Sequence, residues 1–242
     1  MFNMSKRKKL TNKDIIEQNR VEIVDLMHHA CKNIANASIH MLKHELAETE
    51  PMILSQQQMP KGLEYKEFVE WANTTYIPEA YKFVLENKSK NKYIDIIGIN
   101  ALHDILITDT DVPHGTRKTM ARVLGEFAPN PETVLYKLDD IQYHLHDKNF
   151  PVLTRAFDIH FDFIMAQPYT DYNKRTARVL MNWFLIQNNY TPIVFNKEGD
   201  SENYTRALHQ RLDGNRRGYT EYMESSMLHT QNEILNILRR SR

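Results

Sequence analysis

The sequence is poor in the residues that mark secreted, membrane-spanning or strand-rich proteins. Its 242 residues include one cysteine, Cys31, and only 7 glycines. A single thiol cannot form an internal disulfide, so the disulfide frameworks of small secreted domains are excluded. No run of about 18 consecutive apolar residues occurs, so the sequence predicts no transmembrane helix. With 41% hydrophobic residues and few glycines, the composition is typical of a helix-rich globular protein.

An excess of either charge is also absent. Lysine and arginine together number 31, and aspartate and glutamate together number 31. No overall field therefore draws the chain to nucleic acid or to an anionic membrane, and we predict neither partner. The basic segment 1–9 is not followed by an apolar stretch of the kind found in signal peptides. A cytoplasmic location is the default expectation.

The spacing of apolar residues predicts helices along most of the chain. Thr11 is a plausible N-cap for a long helix that extends toward Leu46. A loop over 49–62 and a helix near 68–72 come next, and Pro78 suits the first turn of the following helix. Pro131 starts another helix, and Gly214 separates the last two.

Residues 167–178 are the most informative stretch, with the sequence Gln-Pro-Tyr-Thr-Asp-Tyr-Asn-Lys-Arg-Thr-Ala-Arg. They place a carboxylate, an amide and three cations between two segments of apolar residues. Leu153, Phe157 and Ile164 precede the stretch at helical spacing, and Val179 and Phe184 follow it in the same way. The polar run is therefore predicted to join two helices.

Such a junction favours an anionic ligand. Free backbone N–H groups and the positive end of the helix dipole lie at the start of the second helix. Lys174, Arg175 and Arg178 add full charges, and the two arginines share one helix face, so both can reach one polyphosphate. Asp171 is the exception, because its negative charge disfavours an anionic ligand. A divalent cation such as Mg²⁺ can bind both the carboxylate and phosphate. The alternative for Asp171 is an N-cap of the helix that begins near Asn173, beside solvated charges. The spacing leaves both open.

The same stretch resembles the signature of the Fic family, His-Pro-Phe-x-Asp/Glu-Gly-Asn-Gly/Lys-Arg-x-x-Arg. Nine of its twelve positions carry an expected residue type. The resemblance extends to flanking segments and covers about residues 96–195. Upstream, the family's opening helix corresponds to Ile99–His103, and its β-hairpin, called the flap, corresponds to Gly115–Arg117 with Val123–Pro129. Downstream, a helix corresponds to Leu180–Asn182 and an exit turn to Tyr190–Ile193.

This resemblance implies an all-α fold, a Fic-type helical bundle with a short β-hairpin flap within Arg117–Phe127. Residues 1–95 would form an N-terminal helical extension packed on a core of residues 96–195. Residues 196–242 would add C-terminal helices to the same globular unit.

The resemblance also implies a function, which is transfer of AMP from ATP to a hydroxyl group of a protein. Mg-ATP would bind at the junction, and the protein target would dock at the flap, about residues 119–127. By position, the nucleotide-binding residues are Asp171, Tyr172, Asn173, Lys174, Arg175 and Arg178, with Asp171 as the metal ligand. Gln167 and Arg175 take the catalytic positions. Membership of this family would also be compatible with delivery of the protein into a host cell.

Two residues depart from the signature. Gln167 stands where the family has the histidine that accepts the proton of the target hydroxyl, and an amide cannot accept it. A general base contributes about 10²- to 10⁴-fold, so weakened catalysis is expected. Tyr172 stands where most members have glycine. Because tyrosine resists positive φ, a distorted anion loop is expected.

Two other functions follow from these departures. A catalytically inactive module would bind nucleotide and a partner protein without turnover. A Doc-type protein phosphotransferase is the second, since that branch shares the run Asp171-x-Asn-Lys-Arg-Thr and tolerates a side chain at the position of Tyr172.

Three histidines are candidates by residue type for replacing the missing base. His160 lies two helical turns before Gln167, roughly 10 Å away, and is interpreted as a core residue. His144 and His146 lie near a helix end, where a positive charge complements the dipole. The incomplete matches to the family's inhibitory helix, Thr75–Glu79 and Thr220–Glu224, are interpreted as chance.

Overall fold

The computed structural model describes residues 10–29, 78–195 and 200–240 of the chain. Within these ranges it has eight α-helices and one antiparallel hairpin, so the predicted all-α fold with a short hairpin is confirmed. The helices are α1 Asn12–His29, α2 78–89, α3 Ile96–Leu106, α4 Val134–His146, α5 Val152–Ala166, α6 Asn173–Gln187, α7 Asp200–Leu212 and α8 Arg216–Arg240. The strands are β1 Arg122–Val123 and β2 Glu126–Phe127. The predicted helix toward Leu46, the loop 49–62 and the helix at 68–72 lie outside the described residues.

Local signals start the helices where the sequence predicted them. The backbone N–H of Asp14 donates to the Thr11 hydroxyl (3.3 Å), and the Asp14 carboxylate accepts from the Thr11 N–H (2.9 Å). This reciprocal pair is a capping box, so the predicted start at Thr11 is confirmed. At Pro131 a short 3₁₀ turn leads into α4.

Helix α6 lies in the interior of the molecule. Twelve of its fifteen residues are buried, so it has no solvated face and lies among its neighbours. It packs against α5 and α3. The approach of α3 is close, because a Cβ atom at Gly98 would lie 2.8 Å from the Trp183 ring.

The first and last helices pack against each other. Apolar side chains of α1 and α8 form a separate cluster, whose buried members are Ile23, Leu26, Ile234, Leu235 and Leu238. Gln231 of α8 also donates to the backbone carbonyl of Ile16 (3.2 Å). Among the helices of the described ranges, none has the length and apolar character required to cross a membrane.

Candidate functional site

The signature loop, residues 167–172, joins α5 to α6 and has unusual backbone geometry at both ends. Gln167 follows α5 with φ 43°, and Tyr172 precedes α6 with φ 61°. The left-handed conformation costs a residue other than glycine roughly 1–2 kcal/mol. Tyr172 therefore adopts a positive φ that tyrosine disfavours. Its ring is 3% exposed and lies beside the Arg175 guanidinium, so packing holds the strained backbone in place.

Asn173 braces the loop from inside. Its side-chain oxygen accepts from the Tyr169 N–H (2.9 Å), and its side-chain nitrogen donates to the Tyr169 carbonyl (2.9 Å) and to the Gln167 side-chain oxygen (3.1 Å). These bonds use the polar atoms of the Asn173 side chain within the protein. Asn173 therefore fixes the shape of the loop.

Gln167 is held by the same set of bonds. Its side-chain nitrogen donates to the Ile164 carbonyl (2.8 Å), and its oxygen accepts from Asn173. An amide in this position fixes the loop but has no site for a proton.

Arg117 ties the flap to the loop. Its side chain is buried, and its guanidinium donates to the backbone carbonyls of Gln167 (2.6 Å), Thr119 (2.7 Å), Pro129 and Ala166 (3.4 Å). Burial lowers the pKa of Arg117 from its usual value. Thr119 and Pro129 belong to the flap, whereas Ala166 ends α5 and Gln167 begins the signature loop. The Arg117 side chain therefore sets the spacing between the flap and the loop.

His103 of α3 supports the loop from the other side. Its Nε2 lies 3.1 Å from the Asp171 carbonyl, and its ring stacks on Tyr169 with centroids 3.7 Å apart. Burial lowers the pKa of His103 to about 4, so the ring is neutral at pH 7. Because a carbonyl only accepts, Nε2 carries the proton. The Tyr169 hydroxyl in turn donates to Asn100 (2.7 Å).

Sequence reasoning missed this support. Asn100 and His103 lie three apart on one face of α3, and that spacing was the available signal. Their partners lie about 70 residues further along the chain, so only the fold brings them together.

Asp171 is the acidic residue of the loop. Its carboxylate accepts from the N–H of Tyr172 (2.6 Å), while the N-cap position of α6 is occupied by Tyr172 itself, without a side-chain cap bond. The structure therefore contradicts the alternative that Asp171 is the N-cap of α6. Within the described ranges, no group of three or more histidine, cysteine, aspartate or glutamate side chains gathers as a metal site.

The cations lie on the first turns of α6. Arg175 and Arg178 are 8% and 3% exposed, and Lys174, which precedes both, is partly buried. The Arg175 guanidinium lies 4.8 Å from the centre of the Tyr172 ring, and its Nη1 is buried without a hydrogen-bond partner. The Arg178 guanidinium lies 4.5 Å from the Tyr204 ring. A buried donor without an acceptor costs about 1–3 kcal/mol, so this end of α6 is suited to an added anion.

His160 is a core residue, as predicted. Its two ring nitrogens lie 2.8 Å from the Tyr219 hydroxyl and 2.9 Å from the Tyr204 hydroxyl. The Tyr219 hydroxyl donates to the Phe157 carbonyl, so it accepts from Nδ1, and Nε2 accepts from Tyr204. Burial, followed by the charge of Arg178, lowers the pKa of His160 to about 3. It is a neutral structural group.

The remaining candidates lie away from the loop. His146 contacts the Ile94 carbonyl (3.2 Å) at the end of α4. Glu79 is exposed and pairs with Lys82 (3.5 Å), whereas Glu224 faces Lys13 of α1. Thr75 lies outside the described residues.

Comparisons with known proteins agree on one family. Residues 93–185 match the model of the Fic/DOC family. The protein adenylyltransferase fic-1 of Caenorhabditis elegans is 30% identical over 135 residues, which cover 54% of this chain and 26% of that protein. The protein adenylyltransferase Fic of Aedes aegypti is 26% identical over 115 residues, or 46% of this chain and 23% of that protein. The chain thus matches about a quarter of the length of these curated relatives.

Solved structures show the same fold. A Fic-domain-containing signaling protein from Bacteroides thetaiotaomicron superposes with a TM-score of 0.70 at 17% identity, over 95% of this chain and 97% of that one. Fic-1 from C. elegans superposes with a TM-score of 0.66 at 19% identity, over 95% of this chain and 74% of that one. Together with the loop geometry, these matches identify residues 93–185 as a Fic domain.

Proposed function

We propose that this protein binds Mg-ATP at the signature loop and transfers AMP, slowly, to a hydroxyl group of a protein. The observation that carries the proposal is the buried Arg175, whose Nη1 lacks an acceptor at the N-terminal end of α6. Oxygen atoms of a polyphosphate would supply acceptors there, and the helix dipole favours the same charge. The curated relatives named as protein adenylyltransferases support the class of reaction.

The residues fit the metal that the reaction needs. Asp171 is a single carboxylate beside cationic residues, and Mg²⁺ is commonly held by one or two carboxylates together with phosphate oxygens. Asp171 would hold the ion, which would neutralise phosphate charge when bound. Its own backbone carbonyl is fixed by His103, so the carboxylate starts from a defined position.

The chemistry follows from the positions of the side chains. The oxygen of the target hydroxyl attacks the α-phosphorus, and the bond from that phosphorus to pyrophosphate breaks. Arg175 and Arg178 would stabilise the charge that builds on the departing pyrophosphate. Gln167 cannot take the hydroxyl proton, which must pass to solvent. This step limits the rate.

The flap is the proposed docking surface for the target. A cleft of about 710 Å³ lies between β2 and helices α4 and α5, next to the start of the signature loop. Phe127, which is 64% exposed, and Met165 line it. Lys137, Asp140, His144 and Asp162 also line the cleft, so its mixed apolar and polar walls are suited to hold the protein segment that carries the hydroxyl.

A second candidate is a nucleotide-binding protein without turnover. The observation that favours it is the state of Gln167, whose amide is already bonded to Ile164 and Asn173. These bonds give the amide a structural role in the loop, and neither its nitrogen nor its oxygen can take the proton of a hydroxyl.

Isothermal titration calorimetry with Mg-ATP tests the binding. We expect one saturable site, and at least tenfold weaker binding for Arg175→Ala and Arg178→Ala, since each removes a charge-assisted donor. Arg122→Ala is the control, because this exposed arginine of β1 stacks on Phe127. Wild-type protein that is folded but produces no heat overturns the proposal.

Intact-mass spectrometry after incubation with Mg-ATP separates the reactions. Addition of AMP to the protein itself supports the transferase. Addition of one phosphate supports the Doc-type alternative, and binding without any modification supports the second candidate.

A further inference from the structure

The hydroxyl group of Tyr172 is buried and has no hydrogen-bond partner. Nη1 of Arg175, one helical turn further, is in the same state, and both side chains are more than nine-tenths buried. The two groups act on each other, since Arg175 offsets part of the rise that burial causes in the pKa of Tyr172, but neither makes a hydrogen bond of normal geometry, which is costly in a folded protein. Their presence at the start of α6 indicates that an acceptor from outside the chain completes them.

Space filling does not explain the hydroxyl. Phenylalanine would fill the same volume without burying a polar atom. Three other buried tyrosines, one in the signature loop and two on the C-terminal helices, use their hydroxyls: Tyr169 donates to Asn100, Tyr204 to His160 and Tyr219 to Phe157.

The position of Tyr172 directs the hydroxyl to the neighbourhood of Arg175. The left-handed backbone at φ 61° and ψ 11° turns the side chain so that its ring lies 4.8 Å from that guanidinium. Burial raises the pKa of Tyr172, so at neutral pH the hydroxyl keeps its proton and can donate it.

We propose that the Tyr172 hydroxyl binds phosphate in this protein. Together with Nη1 of Arg175 it donates to oxygen atoms of the pyrophosphate part of ATP, the part that leaves during AMP transfer. Glycine at this position contributes to anion binding by letting the backbone approach. Here a phenolic donor takes over that contribution, so Tyr172 determines how tightly the leaving group is held. The inference rests on the proposed nucleotide site and specifies one of its contacts.

The variant Tyr172→Phe tests the proposal, since it removes the oxygen and keeps the ring. We expect binding of Mg-ATP and of Mg-pyrophosphate, measured by calorimetry, to weaken about tenfold, in line with the loss of one hydrogen bond to a charged group. Binding of AMP, which lacks that part, should change by less than twofold or remain undetectable in both proteins. Tyr81→Phe is the control, because its buried hydroxyl accepts from Asn182 outside the loop. Tyr172→Phe should unfold close to the wild-type temperature, whereas Tyr81→Phe, which leaves a buried Asn182 donor without that acceptor, should unfold at a lower temperature but bind both ligands as the wild type does.

A second variant covers the opposite possibility, that the tyrosine ring obstructs the site. Tyr172→Gly should bind Mg-ATP no better than Tyr172→Phe does. Binding tighter than wild type in Tyr172→Gly, or unchanged pyrophosphate binding in Tyr172→Phe, overturns the role of the hydroxyl and leaves the nucleotide site itself intact. Failure of the wild-type protein to bind both ATP and pyrophosphate refutes the nucleotide site and this inference with it.

Discussion

Gln167 is the residue that limits the proposed chemistry. Its φ of 43° lies in the left-handed region, which histidine adopts more readily than most residues. We therefore expect Gln167→His to increase the rate of AMP transfer by about 10²-fold or more, because it restores a group that accepts the proton. The initial rate of adenylylation, followed by mass spectrometry, measures this.

Gln167→Asn is the matched control, since it keeps an amide and adds no base. An Asn variant as active as the His variant would mean that loop geometry sets the rate. A His variant that binds Mg-ATP normally but shows no gain would place the limit at the target protein.

The sequence could identify Gln167 because a departure from a positional pattern is visible without a structure. The conformation of Tyr172 could not be identified in this way. Residue preference alone disfavours positive φ for tyrosine, and the burial of its ring beside Arg175 overrides that preference. The role of His103 was hidden for a different reason, since its partner Asp171 lies 68 residues away.

At the scale of elements, the flap depends on one side chain. Arg117 donates to carbonyls of the flap and of the signature loop, so its removal leaves several buried acceptors unsatisfied. We expect Arg117→Ala to lower the free energy of unfolding by about 2–4 kcal/mol. Hydrogen exchange over residues 118–128 should also become faster. Arg122→Ala, on an exposed part of the same hairpin, should change neither quantity much.

The contact between α3 and α6 gives a second prediction at this scale. A methyl group at Gly98 would meet the Trp183 ring at 2.8 Å, and that ring is fully buried. We expect Gly98→Ala to destabilise the fold by about 1–3 kcal/mol through overpacking. Thermal or urea unfolding would show it.

Gly218 of α8 provides a matched comparison. A methyl group there would meet the ends of two side chains: that of Gln210 can move aside, whereas that of Asn215 accepts from the Gly218 N–H (3.0 Å). Because alanine favours helix over glycine by up to about 1 kcal/mol, which offsets a shift of these side-chain ends, Gly218→Ala should cost less than Gly98→Ala. Equal effects of the two substitutions would contradict the close approach of α3 to α6.

Periodicity predicted amphipathic helices such as α4 and α5 because a solvated face leaves a pattern in the sequence. It says less about α6, where polar residues are buried. Asn182 illustrates this: it donates to the Tyr81 hydroxyl (2.7 Å) and to the Ile193 carbonyl (3.0 Å), so a polar side chain is stable in the core. The sequence pattern places α6 in the chain but does not reveal how deeply it lies.

At the scale of the whole molecule, His160 links four helices. It belongs to α5, bonds Tyr204 of α7 and Tyr219 of α8, and Tyr204 supports Arg178 of α6. Since the Tyr204 ring lies against the guanidinium, the C-terminal helices help to position a residue of the proposed site, although they lie outside the matched segment 93–185.

This burial makes stability depend on pH. The pKa of His160 is lowered to about 3 in the folded protein, from 6.5 in the unfolded chain. The unfolded state therefore binds a proton that the folded state refuses, and the stability conferred by the neutral ring is complete above pH 6.5 and is lost as the pH falls toward 3. Asp158 and Asp162, whose pKa values burial raises, act in the opposite sense near the acidic end.

His160→Gln isolates this contribution, because glutamine can both donate to Tyr219 and accept from Tyr204 but does not titrate. Between pH 7 and pH 4.5, the free energy of unfolding of the wild type should fall by about 2–3 kcal/mol more than that of the variant. Urea denaturation at a series of pH values measures both slopes, and the carboxylates common to the two proteins cancel in the difference. Parallel pH profiles would mean that His160 is hydrated in solution, and the packing of α7 and α8 around it would then be looser than the structure has it.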